Sequence, residues 1–298
     1  MPKPIAIILL NWNTKFHSEA CIRSIYKHAD HAIFDIIFAD NGSTDGSIAN
    51  IKSNFPDVII LENKFNLGFA EGNNRAIDLS LQMGYQYSML MNTDTLIETD
   101  LITQLFHFLQ HHEQIAAVQP AIYYTHQKDK LWNGELKFNV FWGYTYSAKV
   151  LPKKPKEVDW ITGCCFLVKN KVLQNGGKFN DKYFLYYEDV ELSFRWRLQG
   201  YKLYILPNAV IYHEAGVSSQ LKKKKKEGTL SPIIHYYLNR NRIWFLRSFG
   251  NKFCYIFNFL NLIAYWCALL FYFLFKLKFQ KAKYLLKGIF EGFFTSSY

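Results

Sequence analysis

Ile5 to Leu10 is an unbroken apolar run rich in isoleucine and leucine, the pattern of a strand covered on both faces. Ser18 to His28 then places Ala20, Cys21 and Ile25 at helical spacing, and Phe34 to Ala39 reads as a second strand closed by the turn-rich Asp40 to Ser47. Another helix, a short strand from Val58 to Leu61, a helix from Gly72 to Met83 and a strand from Tyr87 to Met91 complete the first ninety or so positions. Strand and helix alternate over short connections, which predicts an α/β fold with a doubly wound, mostly parallel sheet; ligands then bind beyond the carboxyl ends of the strands. After a helix from Leu101 to His112 the regularity weakens. Tyr123 to Lys156 reads as loops and mixed strands over the sheet, and order resumes at Trp160 to Val168, a helix from Val190 to Leu198 and a strand from Leu203 to Ile205. Lys222 to Lys226 reads as a loop or lid.

Charge changes this picture at one end only. The net charge of +11 over 298 residues suggests an anionic partner for the whole chain. Met1 to Gln220, however, holds 21 Lys and Arg against 22 Asp and Glu, whereas Leu221 to Tyr298 holds 14 against 2. The basicity belongs to the last quarter, so the main domain is not expected to bind nucleic acid. The five cysteines, Cys21, Cys164, Cys165, Cys254 and Cys267, show no CxxC spacing, which fits a reducing compartment better than a disulfide framework. The first apolar run is too short for a secretory segment, and a cytosolic catalytic domain is expected.

Four segments carry candidate chemistry, each with a plainer structural reading beside it. Asp40-Asn41-Gly42-Ser43-Thr44-Asp45-Gly46 follows a buried strand; its acid can accept from a ribose or a base N–H, or the segment is an Asx turn capping the next helix. Asn92-Thr93-Asp94 also leaves a strand and can hold Mg²⁺ or Mn²⁺ against a diphosphate, or form a turn. Glu188 and Asp189 suit a helix start through the macrodipole. The aromatic stretch before them, Gly176-Gly177-Lys178-Phe179 through Phe184-Leu185-Tyr186, would also partly desolvate them and raise their basicity, as a general base requires. His213 in Ile211 to Ser218 is a metal or phosphate ligand or a structural histidine.

In chain order the segments ILLNWN, ADNGSTDGS, NLGFAEGNN, LMNTDT, WITGCCFLV, GGKFNDKYFLYYEDVELSFR and YHEAGVSS resemble the family 2 glycosyltransferases of GT-A fold, and within them the rhamnosyltransferase-like branch. The resemblance runs from about Pro4 to Arg247. It implies a GT-A type doubly wound mixed sheet in a domain of residues 1–247; beyond it, the apolar and basic pattern of 248–298 reads as C-terminal helices. It also implies inverting transfer of a sugar from a nucleotide donor, a UDP- or dTDP-sugar such as dTDP-rhamnose, to a glycan or lipid-linked acceptor in bacterial surface polysaccharide synthesis. Asn11, Asn13 and Asp40 would form the nucleoside pocket, with Asn66, Gly68, Phe69 and Asn73 as its wall. Asn92 and Asp94 occupy the DxD position, with Asp94 and His213 as ligands of a divalent Mg²⁺ or Mn²⁺. Trp160 and Gly163 would border the sugar, and Asp189 would be the base, with Glu188 beside it. Asn92 departs from the pattern because it offers a neutral ligand in place of a carboxylate.

Phe253 to Phe275 has no charged residue and as a helix would reach ~35 Å, enough for a ~30 Å hydrocarbon core. Asn258 and Asn261 interrupt it, and Phe279 to Phe294 mixes Lys with Leu, Ile and Phe as an interfacial helix does. Membrane contact is expected over a buried core helix, which places the protein at the cytoplasmic face of the plasma membrane. Two other classes compete: a sugar-1-phosphate nucleotidyltransferase, whose basic Gly-rich N-terminal loop is missing here, and a basic membrane- or nucleic-acid-binding protein.

Overall fold

The computed structural model describes residues 3–215, 220–225, 228–250 and 254–298. Two compact units emerge. The first comprises residues 1–137, 147–181 and 188–215; the second gathers 138–146, 182–187 and 216–298.

The first unit begins as the hydrophobic pattern predicts. Strand β1 (Ile5–Asn11), helix α1 (Lys15–His28), β2 (Phe34–Asp40), α2 (Ser47–Asn54), β3 (Ile59–Glu62), α3 (Gly68–Gln82) and β4 (Tyr87–Asn92) alternate, and β3, β2, β1 and β4 lie side by side in parallel. Ile5 to Leu9 are all fully buried, which explains their uninterrupted apolarity. Beyond β5 (Thr95–Leu96) and α4 (Leu101–Gln110), the sheet continues through β6 (Ile115–Tyr124), β7 (Gln127–Asn133), β10 (Lys156–Glu157), β11 (Cys165–Lys169) and β12 (Lys202–His213), with α5 (Asn170–Gly176) and α6 (Glu188–Leu198) packed beside it. Strand β11 is inserted antiparallel between β4 and β6, and β12 runs parallel to β6. The sheet is therefore mixed, and the ends of β1, β2, β4 and β12 share one edge with the start of β11.

Two strands exceed what periodicity predicts. β6 is unmarked in the pattern because Pro120 interrupts its apolar run, and β12 extends far past Ile205. In β12 the register shifts between Leu206 and Val210, so Pro207 and Asn208 sit in an irregularity that spares the ladder.

In the second unit, Lys222 to Lys225 lie on β13 (Gln220–Lys225), paired antiparallel with β14 (Gly228–Leu230), rather than in the expected loop; Lys226 is outside the described residues, as are Gly216 to Ser218 and Phe253. Helices α7 (Pro232–Phe249), α8 (Tyr255–Phe275) and α9 (Phe279–Phe294) follow. α8 is not a core helix: only Asn258, Leu262, Trp266 and Phe273 are buried along it. α9 packs on α7 at close range. A Cβ added to Gly288 would stand 2.5 Å from the Tyr236 carbonyl oxygen, and Arg247 Nη1 caps the end of α9 by donating to the carbonyls of Gly292 (2.9 Å), Phe293 (3.1 Å) and Thr295 (2.7 Å). Gly288→Ala is therefore expected to push α9 off α7 and destabilise this unit by roughly 1–3 kcal/mol. Chemical denaturation followed by the tryptophan fluorescence of the full chain measures it.

Candidate active site

The shared carboxyl edge of the first unit collects most of the residues singled out from the sequence. β1 ends at Asn11 and β2 at Asp40, side by side in parallel register. Both are fully buried, and Asn11 Nδ2 donates to Asp40 Oδ1 at 2.7 Å and to Ser43 Oγ at 2.9 Å. Asp40 Oδ2 accepts from the Ser43 N–H at 2.8 Å, and Asn13, at φ 55°, accepts from the Thr44 N–H at 2.8 Å. Asp40 and Asn11 are thus each other's partners, and together they shape the loop that carries Asn13 and Ser43. Asn11 Oδ1 also accepts from Thr14 (2.7 Å) and Ser18 (2.8 Å), and Thr14 meets Thr93 at 3.0 Å, so β1 is tied to the exit of β4.

The entrance to α3 is built around Asn41, to which the sequence pattern assigns no role of its own. Its Nδ2 donates to Asn66 Oδ1 (3.2 Å) and the Gly68 carbonyl (2.9 Å), while its Oδ1 accepts from Asn63 (3.1 Å). Asn66 in turn accepts from the Gly68 N–H, and Asn73 donates to the Phe69 carbonyl one turn back in its own helix.

Asp94 follows β4, and β5 pairs with β12 so that His213 lies opposite Thr95. His213 Nε2 is 3.1 Å from Asp94 Oδ1, both side chains are nearly buried, and His213 Nδ1 has no hydrogen-bond partner among the described residues. The Trp132 ring covers the imidazole edge-on at 4.5 Å. Two ligands about 2.1 Å from an octahedral ion and at right angles to each other are about 3.0 Å apart, so this pair fits two neighbouring positions on Mg²⁺ or Mn²⁺. Among the described residues no cluster of three or more His, Cys, Asp or Glu could hold a metal ion. Asn92 is half-buried, and its own carbonyl accepts from Thr95 Oγ1 at 2.6 Å.

The third cluster joins the start of β11 to α6. Three successive amides that precede β11 have no ladder partner and are satisfied by side chains instead. Ile161 N donates to Ser193 Oγ (3.1 Å), Thr162 N to Gln119 Oε1 (3.0 Å) and Gly163 N to Asp189 Oδ2 (2.9 Å). A Cβ at Gly163 would stand 2.8 Å from the tip of the Phe69 ring, so a larger residue there requires that ring to shift. Trp160 anchors the same segment through Nε1 to the Lys137 carbonyl at 3.3 Å. Arg195 holds α6 in place by pairing with Glu191 and donating to the carbonyls of Gly176 and Lys178.

Burial raises the Asp189 carboxyl to about 6, against the N–H groups of Gly163 and Val190 that favour its charged form. Glu188 is buried and its carboxyl is held well above the usual range, first by burial and then by the charge of Asp189; its Oε2 has no hydrogen-bond partner among the described residues. Two adjacent acids with raised proton affinity can divide the work, one neutral and one ready to take a proton. Of the residues singled out from the sequence, Asp40, Asp94, Asp189 and Gly163 come to this edge; Asn63 and Gln119 lie outside the motifs, and Asn41, Thr93 and Ser193 lie inside them with no role assigned. Thr93 and Ser193 carry a spacing signal, one between two motif residues and one a helical turn beyond Asp189; Asn63 and Gln119 carry none.

Solved structures share this architecture. GalNAc-T7 with UDP, GalNAc and Mn²⁺ matches at TM-score 0.68 and 12% identity, over 86% of this chain and 49% of that one, so the chain spans about half its length. The mannosyltransferase PcManGT from Pyrobaculum calidifontis, with GDP-Man and Mn²⁺, matches at TM-score 0.54 and 14% identity, over 98% and 89%. The fold is thus the GT-A glycosyltransferase fold with additional C-terminal helices. The chain belongs to glycosyl transferase family 2, which matches residues 18–177, and it is a glycosyltransferase. It is similar to the N-acetylglucosaminyl-diphospho-decaprenol L-rhamnosyltransferase of Mycobacterium tuberculosis, at 24% identity over 239 residues, 72% of this chain and 78% of that one. The low-salt glycan biosynthesis hexosyltransferase Agl10 of Haloferax volcanii is 24% identical over 200 residues, 65% of this chain and 61% of that one. Family membership sets aside the nucleotidyltransferase and the non-enzymatic alternatives.

Any step in which Asp189 takes up a proton needs its carboxylate. Turnover should therefore fall about tenfold per pH unit below about 6 and level off above it, as read from the pH profile of the rate constant.

Proposed function

We propose that the chain is an inverting glycosyltransferase that moves a sugar from a UDP- or dTDP-activated donor, dTDP-rhamnose foremost, to a hydroxyl of a lipid-linked glycan in bacterial surface polysaccharide synthesis. The observation that carries this reading is the raised, oriented Asp189 on the same sheet edge as the Asp94–His213 pair. In-line displacement at an anomeric carbon needs a base on the acceptor side and charge neutralisation at the leaving diphosphate.

Asp189 fills the first role. One carboxylate oxygen is fixed by Gly163 and the other by Val190, so its orientation is set before the acceptor arrives, and it takes the hydroxyl proton as the new bond forms. Burial and the neighbouring charge make Glu188 hold its proton more tightly, so Asp189 is the more readily ionised member of the pair. Asp94 and His213 would hold a divalent cation, which when bound neutralises charge on the diphosphate. With Asn92 contributing no charge, metal affinity would lean on Asp94, His213 and the diphosphate itself. Asn11, Asp40 and Ser43 fix the loop against which the nucleoside rests, Asn13, Asn66, Gly68, Phe69 and Asn73 complete that pocket, and Trp160 and Gly163 border the sugar.

The lipid-linked acceptor is supported by the mycobacterial relative, whose name gives a decaprenol-linked sugar. The basic, apolar segment 248–298 supports a site at the cytoplasmic face of the plasma membrane, peripheral or anchored, distinct from the transfer domain 1–247.

Measuring UDP or dTDP release from a panel of sugar nucleotides, with and without a lipid-linked acceptor, tests the reading; no acceptor-stimulated release from any donor would sink it. Asp189→Asn should lower transfer ~10² to 10⁴-fold while nucleotide affinity changes little; a variant that keeps most of its activity takes Asp189 out of the role. Asp94→Ala or His213→Ala should weaken Mn²⁺ binding in the presence of the nucleotide by about tenfold or more, read by paramagnetic resonance of free Mn²⁺.

A further inference from the structure

The apolar helix α8 is 21 residues long, enough at about 1.5 Å per residue to cross a bilayer. Its contacts within the second unit argue against that course. In its first two turns, Asn258 Nδ2 donates to the carbonyls of Val140 (3.1 Å) and Phe141 (2.6 Å), and Asn261 Nδ2 donates to the Trp142 carbonyl (2.9 Å). The two asparagines that interrupt the apolar run are therefore the acceptor-binding groups for the tip of the hairpin formed by β8 (Leu136–Asn139) and β9 (Tyr144–Ser147). Further along, Trp266 Nε1 donates to Asn239 Oδ1 of α7 at 2.8 Å, and Phe273 packs on His235 of α7 at 4.8 Å. α8 thus stays beside α7 and the hairpin tip from residue 258 to residue 273.

α7 cannot follow a helix into hydrocarbon. Arg240 donates to the Lys182 carbonyl (2.9 Å), and Asn241 Nδ2 serves three carbonyls, Tyr183 (2.8 Å), Leu185 (2.9 Å) and Tyr186 (2.7 Å). Arg242 holds the Gly143 carbonyl at 2.9 Å, on the same hairpin tip that α8 grips. A crossing α8 would bring these arginines and the irregular backbone of the tip to bilayer depth, where charge is costly and non-helical backbone needs water or protein around it.

The rest of α8 still faces outward and is apolar, with Ile256 and Phe271 more than 70% exposed and no charge anywhere on the helix. Beside it the hairpin tip exposes Phe141 and Trp142, and α9 exposes Phe290 and Phe294 along with Lys283 and Lys287. Aromatic side chains interleaved with lysine, in a segment with 14 basic residues against 2 acidic, complement an anionic lipid surface. Resting on the membrane reading proposed above, we infer that the second unit is a monotopic seat. α8 lies in the plane of the interface of a bilayer containing anionic lipid, with the Phe141–Trp142 tip as a second insertion point, and both chain ends remain on one side.

Cysteine accessibility in the full chain separates the two topologies. In a C254S/C267S background the remaining cysteines are buried, and Ser53→Cys and Ser296→Cys supply exposed probes in the first unit and near the C-terminus. An impermeant maleimide should label both in inside-out vesicles and neither in intact spheroplasts. Labelling of S296C in spheroplasts, with S53C reactive only in inside-out vesicles, would show a crossing helix and overturn the inference while keeping membrane attachment. Purified protein should float with vesicles of phosphatidylethanolamine and phosphatidylglycerol at about 3:1, and F141S/W142S should lower the bound fraction about tenfold at limiting lipid. Undiminished binding by that variant removes the tip from the seat. Failure of the unaltered protein to float, or its recovery as a dimer that shields Cys267 from the maleimide, overturns the membrane reading itself.

Discussion

The 2.9 Å hydrogen bond from the Gly163 N–H to Asp189 couples the architecture of the sheet to the acid it presents. Strand β11 reverses direction between β4 and β6, so the residues before it arrive at the edge where β4 ends, with their amides still unpaired. Buried amides must find acceptors. Gln119 on β6 and Ser193 and Asp189 on α6 provide them, so one set of bonds closes the loop, fixes the start of α6 and orients a carboxylate. The same burial that makes the amides demanding lifts the proton affinity of Asp189. The orientation of the acid and its basicity thus follow from one arrangement.

Much of this could be read from the chain alone. The parallel half of the sheet was legible because β1, β2 and β4 are nearly buried throughout and α1 buries residues at helical spacing, and the polar motifs fell at strand exits where an α/β fold places ligands. β6 and the long β12 were hidden because Pro120 and Pro207 look like breaks, although the sheet absorbs the second in a register shift. α7 was also missed: its buried face includes Asn239, which accepts from Trp266, and Arg240 and Asn241, which donate to carbonyls of the loop at 182–187, and no hydrophobic periodicity reports such a face. Asp94 and His213, more than a hundred positions apart, meet because β5 pairs with β12, a contact that motif order suggested and spacing did not.

The C-terminal charge has a companion in the packing. Asn258 and Asn261 looked like flaws in a membrane span, yet they are the groups through which an apolar helix grips a neighbouring hairpin. An apolar run of spanning length is a statement about composition; the direction the helix takes is set by the polar bonds along its sides.

The central claim, inverting transfer with Asp189 as base, is tested most directly by the stereochemistry of the product. With a donor of known anomeric configuration, the one-bond carbon–proton coupling at the anomeric centre of the product should report the opposite configuration. Retention would contradict a single displacement assisted by Asp189.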